Sequence, residues 1–373
     1  MDFAFLLFRY FPHGGLQRDA LAVAGRLAAA GERVRFVVGS WDGPQPAGIA
    51  VEAIGRRGWT NHGADADFAR RALPAAAAGG GAFVVGFNRM PGLDAYYGGD
   101  PCLAARLAAR PAWQRLMPRN RRRLAFERAV FGPASATRSL LLSPGQQRDV
   151  VGHYGTPADR LLLLPPASPA TGAGRRTGRR GAAPRAPRSG WRRARCCCWR
   201  SARATPPRAS TAPWRRWPRA PPARRGGVRL AVAGRGRDAH LRAQAARLGI
   251  ADRLLLLGPR DDVPALLLAA DLLVHPARLE NTGQAILEAV VAGLPVLATV
   301  NCGFAPHLER AGAGLVLAEP FHPAALARAL GEMLDPARLA AWSAAALAYA
   351  GREDLHGGLD AAAAALRRWA AQR

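Results

Sequence analysis

Short apolar runs alternate with helical stretches along most of this chain, and this alternation constrains the fold more than any other feature. The runs Asp2–Phe8 and Val228–Ala233 are typical of strands buried on both faces of a parallel sheet. Leu16–Ala30 and Ala239–Leu248 follow them with the apolar spacing of helices. The pattern predicts two doubly wound α/β domains, each with helices on both faces of its sheet.

Further strands are predicted wherever a short apolar run is bounded by Gly, Pro or polar residues. These runs are Val34–Val38, Ala82–Gly86, Ser139–Leu142, Leu254–Leu257, Leu272–Val274, Val296–Ala298 and Leu315–Leu317. A length of 373 residues suits two domains, each with its own core. We assign residues 1–166 to an N-terminal domain, 228–345 to a C-terminal domain and 346–373 to a C-terminal helix.

Residues 167–227 interrupt the alternation. They contain 17 Arg and no acidic residue, whereas residues 1–166 have a net charge of +9 and residues 228–373 a net charge of +1. Most of the net charge of +27 therefore lies in one segment. The segment shows neither helical nor strand periodicity, so neither element is predicted there.

The composition of this segment suggests a shift in reading frame. All 53 basic residues of the chain are Arg, as expected from a GC-rich gene, and such a gene yields Arg-, Pro- and Ala-rich sequence when read out of frame. In the shifted frame, Cys196–Trp199 permit a run of leucines, as a buried strand would have. A disordered basic linker and an RNA-binding tail are the alternatives, but neither accounts for Cys-Cys-Cys-Trp.

Several classes of protein are disfavoured. Nucleic-acid binding would explain the charge, but no recognition helix or aromatic-interleaved strand accompanies it. The sequence at 233–237 does not fit the G-x-G-x-x-G motif of NAD-dependent enzymes.

Met1–Phe8 lacks a basic leader and Val263–Val274 is too short to span a bilayer, so we expect a cytoplasmic protein. The five cysteines lack the spacing of a zinc site, so we expect no metal.

The most specific local signal is H-P-A-R-L-E-N-T-G-Q-A-I-L-E-A-V-V-A-G-L-P-V, at His275–Val296. Glu280 ends the loop after a predicted strand, and Glu288 lies within the helix that follows. The N-terminus of a helix presents free N–H groups and a partial positive charge, which suit a diphosphate. Two acids with seven residues between them also arise by chance. The signal is specific because one acid lies in the loop after a strand and the other in the helix that follows.

This stretch resembles the E-x7-E signature of glycosyltransferase family 4. The resemblance narrows to the lipopolysaccharide heptosyl glucosyltransferase branch and covers residues 1–166 and 228–373. It implies that the segment 167–227 replaces the hinge and the first βα unit of the second domain. It rests on Y-F-P-H-G-G-L-Q-R-D (Tyr10–Asp19), T-N-H-G (Thr60–Gly63), G-F-N-R-M-P-G-L-D (Gly86–Asp94), F-E-R-A-V-F (Phe126–Phe131) and G-P-R-D-D-V (Gly258–Val263).

The resemblance implies a GT-B fold, with two Rossmann-like domains facing across a cleft and a C-terminal helix crossing back. It implies a monomeric retaining enzyme that uses no cofactor and moves a hexose, glucose by family default, from a UDP-sugar to a heptose of the lipopolysaccharide inner core. The leaving diphosphate would help to accept the acceptor proton. The cationic residues that stabilise it in the family would lie at Ala204–Ala209, where they are absent, so a catalytically impaired relative is an alternative.

The resemblance also implies roles for individual residues. Glu280 would contact sugar hydroxyls, and Asp19 and Asp100 would orient or deprotonate the acceptor hydroxyl. The predicted donor-binding residues are Gly14, Gly15, Arg260, Asn281, Thr282, Gly283 and Glu288. Gly14 and Gly15 could instead form a plain βα turn, and Asp100 could be an ordinary loop acid.

A basic stretch from Trp113 to Arg128 interleaves six arginines with apolar residues. Such a stretch suits an anionic membrane surface or a phosphorylated acceptor, although a solvated helix face is an equal alternative. We therefore predict peripheral attachment to the cytoplasmic face of the inner membrane. The candidate acceptor and membrane residues are His62, which could also be purely structural, Arg115, Arg119, Arg122 and Arg123.

Overall fold

The structure is a computed structural model that describes residues 1–12, 14–78, 80–168, 195–200, 228–234, 238–320 and 322–373, with the backbone alone described for 195–200. The described residues form two compact units. The N-terminal unit comprises Met1–Ala167 and His356–Arg373, and the C-terminal unit comprises Ser168–Leu355. Each unit is built on a parallel sheet, as the alternation of apolar runs and helices predicts.

The sheet of the N-terminal unit contains four strands that the apolar runs predict and three that they do not. Its strands are β1 (Asp2–Leu7), β2 (Arg33–Val38), β3 (Ala50–Ala53), β4 (Phe83–Gly86), β5 (Ala95–Gly98), β6 (Arg138–Leu141) and β7 (Leu161–Leu163). Their order is β3-β2-β1-β4-β5-β6-β7, with all neighbours parallel. The order runs outward in both directions from β1, as in a doubly wound sheet.

Helices cover both faces of this sheet. They are α1 (Gly15–Ala29), α2 (Asn61–Ala77), α3 (Leu103–Ala108), α4 (Trp113–Leu116), α5 (Pro118–Phe131), α6 (Pro144–Tyr154) and, from the chain terminus, α13 (Gly358–Ala371). Successive residues of β1 point to opposite faces. Phe5 therefore joins the core beneath α1 and α13, whereas Leu6 joins the core beneath α2 and α5.

The C-terminal unit repeats the design with a six-stranded sheet. Its strands are β8 (Arg195–Arg200), β9 (Val228–Ala233), β10 (Leu254–Gly258), β11 (Leu272–His275), β12 (Val296–Thr299) and β13 (Gly314–Leu317). They are parallel in the order β10-β9-β8-β11-β12-β13. Its helices are α7 (Asp238–Arg247), α8 (Val263–Ala269), α9 (Gln284–Val291), α10 (Ala305–Ala311), α11 (Pro323–Met333) and α12 (Pro336–Arg352).

The expectation that residues 167–227 contain no strand is wrong at β8. This strand lies between β9 and β11, and its backbone pairs with both, with Cys197 opposite Leu230 and Leu272. Two flanking strands offer hydrogen-bond partners to any extended backbone placed between them, so tertiary context overrides the weak local pattern. The rest of the predicted aberrant segment, 169–194 and 201–227, lies outside the described residues.

The predicted C-terminal helix at 346–373 is divided in two. α12 ends before Glu353, whose backbone is extended, and α13 begins at Gly358. Tyr349 of α12 is buried in the core of the C-terminal unit, whereas Leu366 and Trp369 of α13 are buried in the N-terminal unit. The Ala-rich sequence gives little apolar contrast along its length, so the break could not be placed from periodicity.

α13 packs on α1 within the N-terminal unit. Leu366 shares a core with Val23 and Leu27 of α1. Asp360 accepts a 2.6 Å hydrogen bond from Arg26 at the edge of this contact. The chain terminus thus returns to the first domain, as the family resemblance implies.

Candidate active site

The N-terminus of α9 follows directly on the loop after β11. Gly283 caps the helix with a left-handed backbone, φ +78°, and a Cβ there would lie 3.1 Å from Cδ1 of Ile286. The backbone N–H groups at the start of an α-helix give it a partial positive charge, and in this first turn the N–H of Ile286 donates to the carbonyl of Gly283 at 2.8 Å. The positive end of the helix therefore begins at Gln284, immediately after Asn281 and Thr282.

The backbone of Glu280 is fixed by the segment that follows β12. Its N–H donates to the carbonyl of Asn301 at 3.1 Å, and its carbonyl accepts from the N–H of Gly303 at 3.1 Å. Two residues on, the carbonyl of Thr282 accepts from the N–H of Phe304 at 2.6 Å. Glu280 is thereby held just ahead of the helix, with its side chain partly exposed.

Glu288 lies in the second turn of α9 and is only 4% exposed. Every residue from Ala285 to Val291 is buried, and Glu288 is the one ionisable group among them. Burying a carboxylate is costly unless it is hydrogen-bonded or charge-paired. Its retention in an apolar helix is typical of a residue with a functional role.

His275 and Arg260 lie at the same edge of the C-terminal sheet, where its parallel strands end. His275 is buried at the end of β11. Arg260 follows β10 and pairs with Asp262 through hydrogen bonds of 2.6 and 2.7 Å. The guanidinium of Arg260 is thus engaged in its own loop.

Gly14 and Gly15 lie where β1 leads into α1, and they have different structural demands. Gly14 is the N-cap of α1, and a Cβ there would collide with Gln17 and lie 2.7 Å from Phe11. A Cβ on Gly15 would meet no atom within 4 Å. Packing thus requires glycine at the first position, and the second is open to solvent.

Asp19 lies one turn into α1 and accepts a 3.1 Å hydrogen bond from the hydroxyl of Tyr97. Burial raises the pKa of Asp19 to about 6, although the Tyr97 hydroxyl and the charge of Arg18 act in the opposite direction. A carboxyl group that titrates near neutrality is suited to exchanging protons. Tyr97 is not among the predicted site residues; it lies on β5, one of the strands that the apolar runs do not predict.

Asp100 is exposed at the end of the loop after β5, and its backbone is fixed from two sides. Its carbonyl accepts from Arg89 at 2.8 Å and from Gln146 at 2.8 Å. Nearby, Gly99 packs against Leu16 of α1 with no room for a Cβ. This contact and the Tyr97–Asp19 hydrogen bond bring the first turns of α1, which carry Asp19, next to the loop of Asp100 at one edge of the sheet.

A buried carboxylate on α5 organises this edge. Glu127 is fully buried, pairs with Arg89 and accepts from the N–H groups of Leu103 and Ala104, each at 2.8 Å. It also accepts from the Tyr154 hydroxyl at 2.8 Å. Glu127 thus caps α3 from a distant element and holds Arg89, which in turn binds the Asp100 loop.

Comparison with known proteins identifies the family. Residues 214–336 match the family model described as "Glycosyl transferases group 1". Over 366 residues, the chain is 34% identical to the lipopolysaccharide glucosyltransferase WaaG of Escherichia coli (strain K12), and the alignment covers 95% of this chain and 96% of WaaG. The chain belongs to the WaaG family of glycosyltransferases. The predicted enzyme class is therefore confirmed.

Solved structures agree with this assignment. The crystal structure of WaaG, a glycosyltransferase involved in lipopolysaccharide biosynthesis, matches with a TM-score of 0.88 at 32% identity, over 98% of this chain and 99% of that one. Anabaena HepE in complex with UDP and glucose matches over the whole of both chains, with a TM-score of 0.69 at 19% identity, and so shares the fold. The predicted GT-B fold of this glycosyltransferase is confirmed.

The basic stretch of the glycosyltransferase forms two helices, because Pro118 starts a new helix after Met117. The exposed apolar side chains lie on α4, where Trp113 and Leu116 are 61% and 72% exposed beside Arg115. On α5, the arginines at 119, 122 and 123 are exposed, whereas Leu124 and Phe126 are partly buried. Exposed arginines beside exposed large apolar side chains are therefore found on α4, whereas α5 exposes its arginines and turns its large apolar side chains inward.

His62 lies in the first turn of α2 and meets the basic stretch through its backbone. Its carbonyl accepts a 3.3 Å hydrogen bond from Arg122, and its ring nitrogen lies 3.5 Å from the hydroxyl of Thr60. The structure therefore brings His62 and Arg122 together.

Two of the sequence predictions concern residues that lie wholly or partly outside the described part of the chain. Ala204–Ala209, where the family's cationic residues would lie, and three residues of the sequence at 233–237 are outside the described residues. Within the described part of the chain, no cluster of His, Cys, Asp and Glu could hold a metal ion. No helix among those residues combines the length and apolarity needed to cross a bilayer.

Proposed function

We propose that this glycosyltransferase moves a hexose, by default glucose, from a UDP-sugar to a heptose of the lipopolysaccharide inner core, with retention of configuration. The identity to a lipopolysaccharide glucosyltransferase over nearly the whole chain supports the substrate class. The observation that carries the proposal is the placing of Glu280 just ahead of the positive end of α9, with Glu288 buried one turn within it.

On the donor side, the first turn of α9 would bind the diphosphate through its backbone N–H groups, joined by the backbone of Asn281, Thr282 and Gly283. Glu280 would bind hydroxyls of the hexose. Glu288 would bind the ribose, and the backbone of Arg260 would hold the uracil ring. Gly15, which leaves open space at the start of α1, would admit the diphosphate close to the backbone.

On the acceptor side, Asp19 and Asp100 would orient the attacking hydroxyl. Its oxygen bonds to the anomeric carbon as the bond from that carbon to the diphosphate oxygen breaks. The hydroxyl proton passes to the departing phosphate, and no cofactor or metal takes part. Asp19, with a pKa of about 6, is ionised at neutral pH and can accept a hydrogen bond from the hydroxyl.

We place the enzyme, as a monomer, on the cytoplasmic face of the inner membrane. Trp113 and Leu116 would enter the interface beside the arginines at 115, 119, 122 and 123, which would meet anionic headgroups. Flotation with vesicles containing anionic lipid tests this. Neutralising all six arginines between 113 and 128 should abolish binding, and unchanged binding would exclude the membrane role.

The experiment that tests the activity is transfer of labelled hexose to a heptose-terminated core acceptor. UDP-glucose, UDP-galactose and UDP-N-acetylglucosamine are compared, and the anomeric configuration of the product is read by NMR. Transfer from UDP-glucose with retention is expected. Absence of transfer with every donor, from protein whose gene sequence has been verified, would favour the catalytically impaired alternative.

Sequencing the gene across codons 160–230 tests the frame-shift hypothesis independently. An intact frame that encodes residues 167–227 as written would remove the hypothesis. The formation of β8 with the sequence as written gives it no support.

A further inference from the structure

A cavity of about 270 Å³ opens in the N-terminal unit, between the end of β1 and the start of α2. The side chains with polar or aromatic groups that line it are those of Arg9, Ser40, Arg56, Trp59, Thr60 and Asn61. Pockets for drug-sized molecules and cofactors span roughly 300–1,000 Å³. This cavity therefore suits one sugar ring with a substituent better than a nucleotide sugar.

The cavity is electropositive. Arg56 pairs with Asp65, whereas exposed Arg9 makes no ion pair with any acid that the structure describes. Burial raises the pKa of Asp65 against the opposing charges of Arg56, Arg123 and Arg9. Burial also lowers the pKa of Arg56, and the charge of Arg9 acts in the same direction. Three guanidinium groups thus act on one carboxylate, and an anion in the cavity would offset the excess charge.

The rest of the wall suits a hydroxylated ring. The side chains of Ser40, Thr60 and Asn61 offer hydroxyl and amide groups. Trp59 is fully exposed at the same cavity, so the protein core does not account for a large apolar side chain there. An indole face can pack against the apolar C–H face of a sugar while its N–H remains solvated.

Two glycines shape the cavity. A Cβ on Gly39 would collide with the side chain of Arg56, so glycine there lets that arginine lie across the strand end. Gly58 has φ +150°, and a Cβ there would lie 2.8 Å from the backbone nitrogen of Ala64. The first contact keeps the side chain of Arg56 at the cavity wall, and the second holds the loop of Gly58 against the backbone of α2.

We propose that this cavity binds an anionic sugar unit, one that carries a phosphate or a carboxylate, with Arg9 and Arg56 binding the oxyanion and Trp59 contacting the ring. The inference rests on the proposed function in one respect: such a unit would be part of the glycosyl acceptor. It assigns an acceptor subsite to residues distinct from Asp19, Asp100 and the basic stretch.

Calorimetric titration of the full chain tests the site directly. The probes are mannose 6-phosphate, glucuronate, inorganic phosphate and neutral mannose. Arg9→Gln should weaken binding of the two anionic sugars about tenfold or more, because it removes a charge-assisted hydrogen bond. Trp59→Ala should weaken the anionic sugars but not inorganic phosphate. The phosphate and carboxylate arms show which oxyanion is preferred.

Arg57→Gln is the matched control, since it removes the same charge from an exposed neighbour that does not line the cavity. Equal losses in Arg9→Gln and Arg57→Gln would overturn the proposal, as would equal affinity for mannose and mannose 6-phosphate. The transfer assay on the same proteins separates the two hypotheses. Arg9-dependent binding without hexose transfer would refute the proposed function alone, whereas transfer without Arg9-dependent binding would refute the subsite alone.

Discussion

The hydroxyl of Tyr97 on β5 donates a 3.1 Å hydrogen bond to the carboxylate of Asp19 on α1, 78 residues away in sequence. This bond and burial act in opposite directions on the pKa of Asp19, and burial prevails to give a value of about 6. The pH at which the transfer rate falls on the acid side should therefore report on the environment of Asp19.

The turnover of the enzyme should fall as the pH falls through about 6, because protonated Asp19 can no longer accept a hydrogen bond from the acceptor hydroxyl. Asp19→Asn should lower kcat by on the order of 100-fold at pH 8. Both effects are measured by initial rates at saturating donor between pH 5 and pH 9. An unchanged acid limb in Asp19→Asn would show that another group titrates.

The same residue should limit stability at high pH. Because the pKa of Asp19 is higher in the folded than in the unfolded protein, ionisation of Asp19 lowers the free energy of unfolding. This loss is absent below about pH 4 and complete above about pH 6. The free energy of unfolding of Asp19→Asn should therefore rise relative to that of the wild type as the pH increases from about 4 to about 6, by no more than about 3 kcal/mol. Urea unfolding of both proteins at pH 4 and pH 8 measures the difference.

Tyr97→Phe should move the acid limb to higher pH by up to about one unit, because the variant loses a hydrogen bond that lowers the pKa of Asp19. Tyr96→Phe is the matched control, since Tyr96 is equally buried but packs on the opposite face of the sheet. The shift is measured from the dependence of the transfer rate on pH in the two variants. A shift of equal size in both would argue against the specific role of Tyr97.

Glu127→Gln should destabilise the N-terminal unit by about 3 kcal/mol, because it leaves the Arg89 guanidinium without a buried counter-charge. Glu52→Gln provides the control: Glu52 is half exposed and lies 3.9 Å from Arg35, so a change within about 0.5 kcal/mol is expected. Urea unfolding gives both values. Equal effects would mean that the burial of Glu127 is unimportant.

Glu280→Gln and Glu288→Gln should differ in their kinetics. Loss of a contact to the hexose, where charge develops during transfer, should lower kcat by about 100-fold. Loss of a contact to the ribose should mainly raise the KM for the donor and the Kd for UDP. Glu309→Gln on α10 is the exposed control. Unchanged UDP affinity in Glu288→Gln would contradict the ribose contact.

Gly15→Ala should fold normally, because its Cβ meets no neighbouring atom, yet raise the donor KM by on the order of tenfold if the diphosphate approaches the backbone there. Gly152→Ala on α6 is a control with the same open surroundings. Gly14→Ala, by contrast, should lose stability through its clash with Phe11 and Gln17. A normal donor KM in Gly15→Ala would place the diphosphate elsewhere.

The sequence determined those features that are encoded locally. A short apolar run followed by helical spacing places β1, β9 and their helices within a residue or two, and a short apolar run places β11 equally well. The acid before α9 and the acid within it were assigned for the same reason, since both lie on one strand–loop–helix unit.

Features that depend on partners far along the chain follow from the assembled fold and not from local sequence. β8 forms because β9 and β11 flank it, and the final helix breaks because α12 and α13 pack in different units. The raised pKa of Asp19 needs burial and a tyrosine from another strand. Burial and long-range hydrogen bonds are properties of the assembled fold, so no local pattern of residues could specify them.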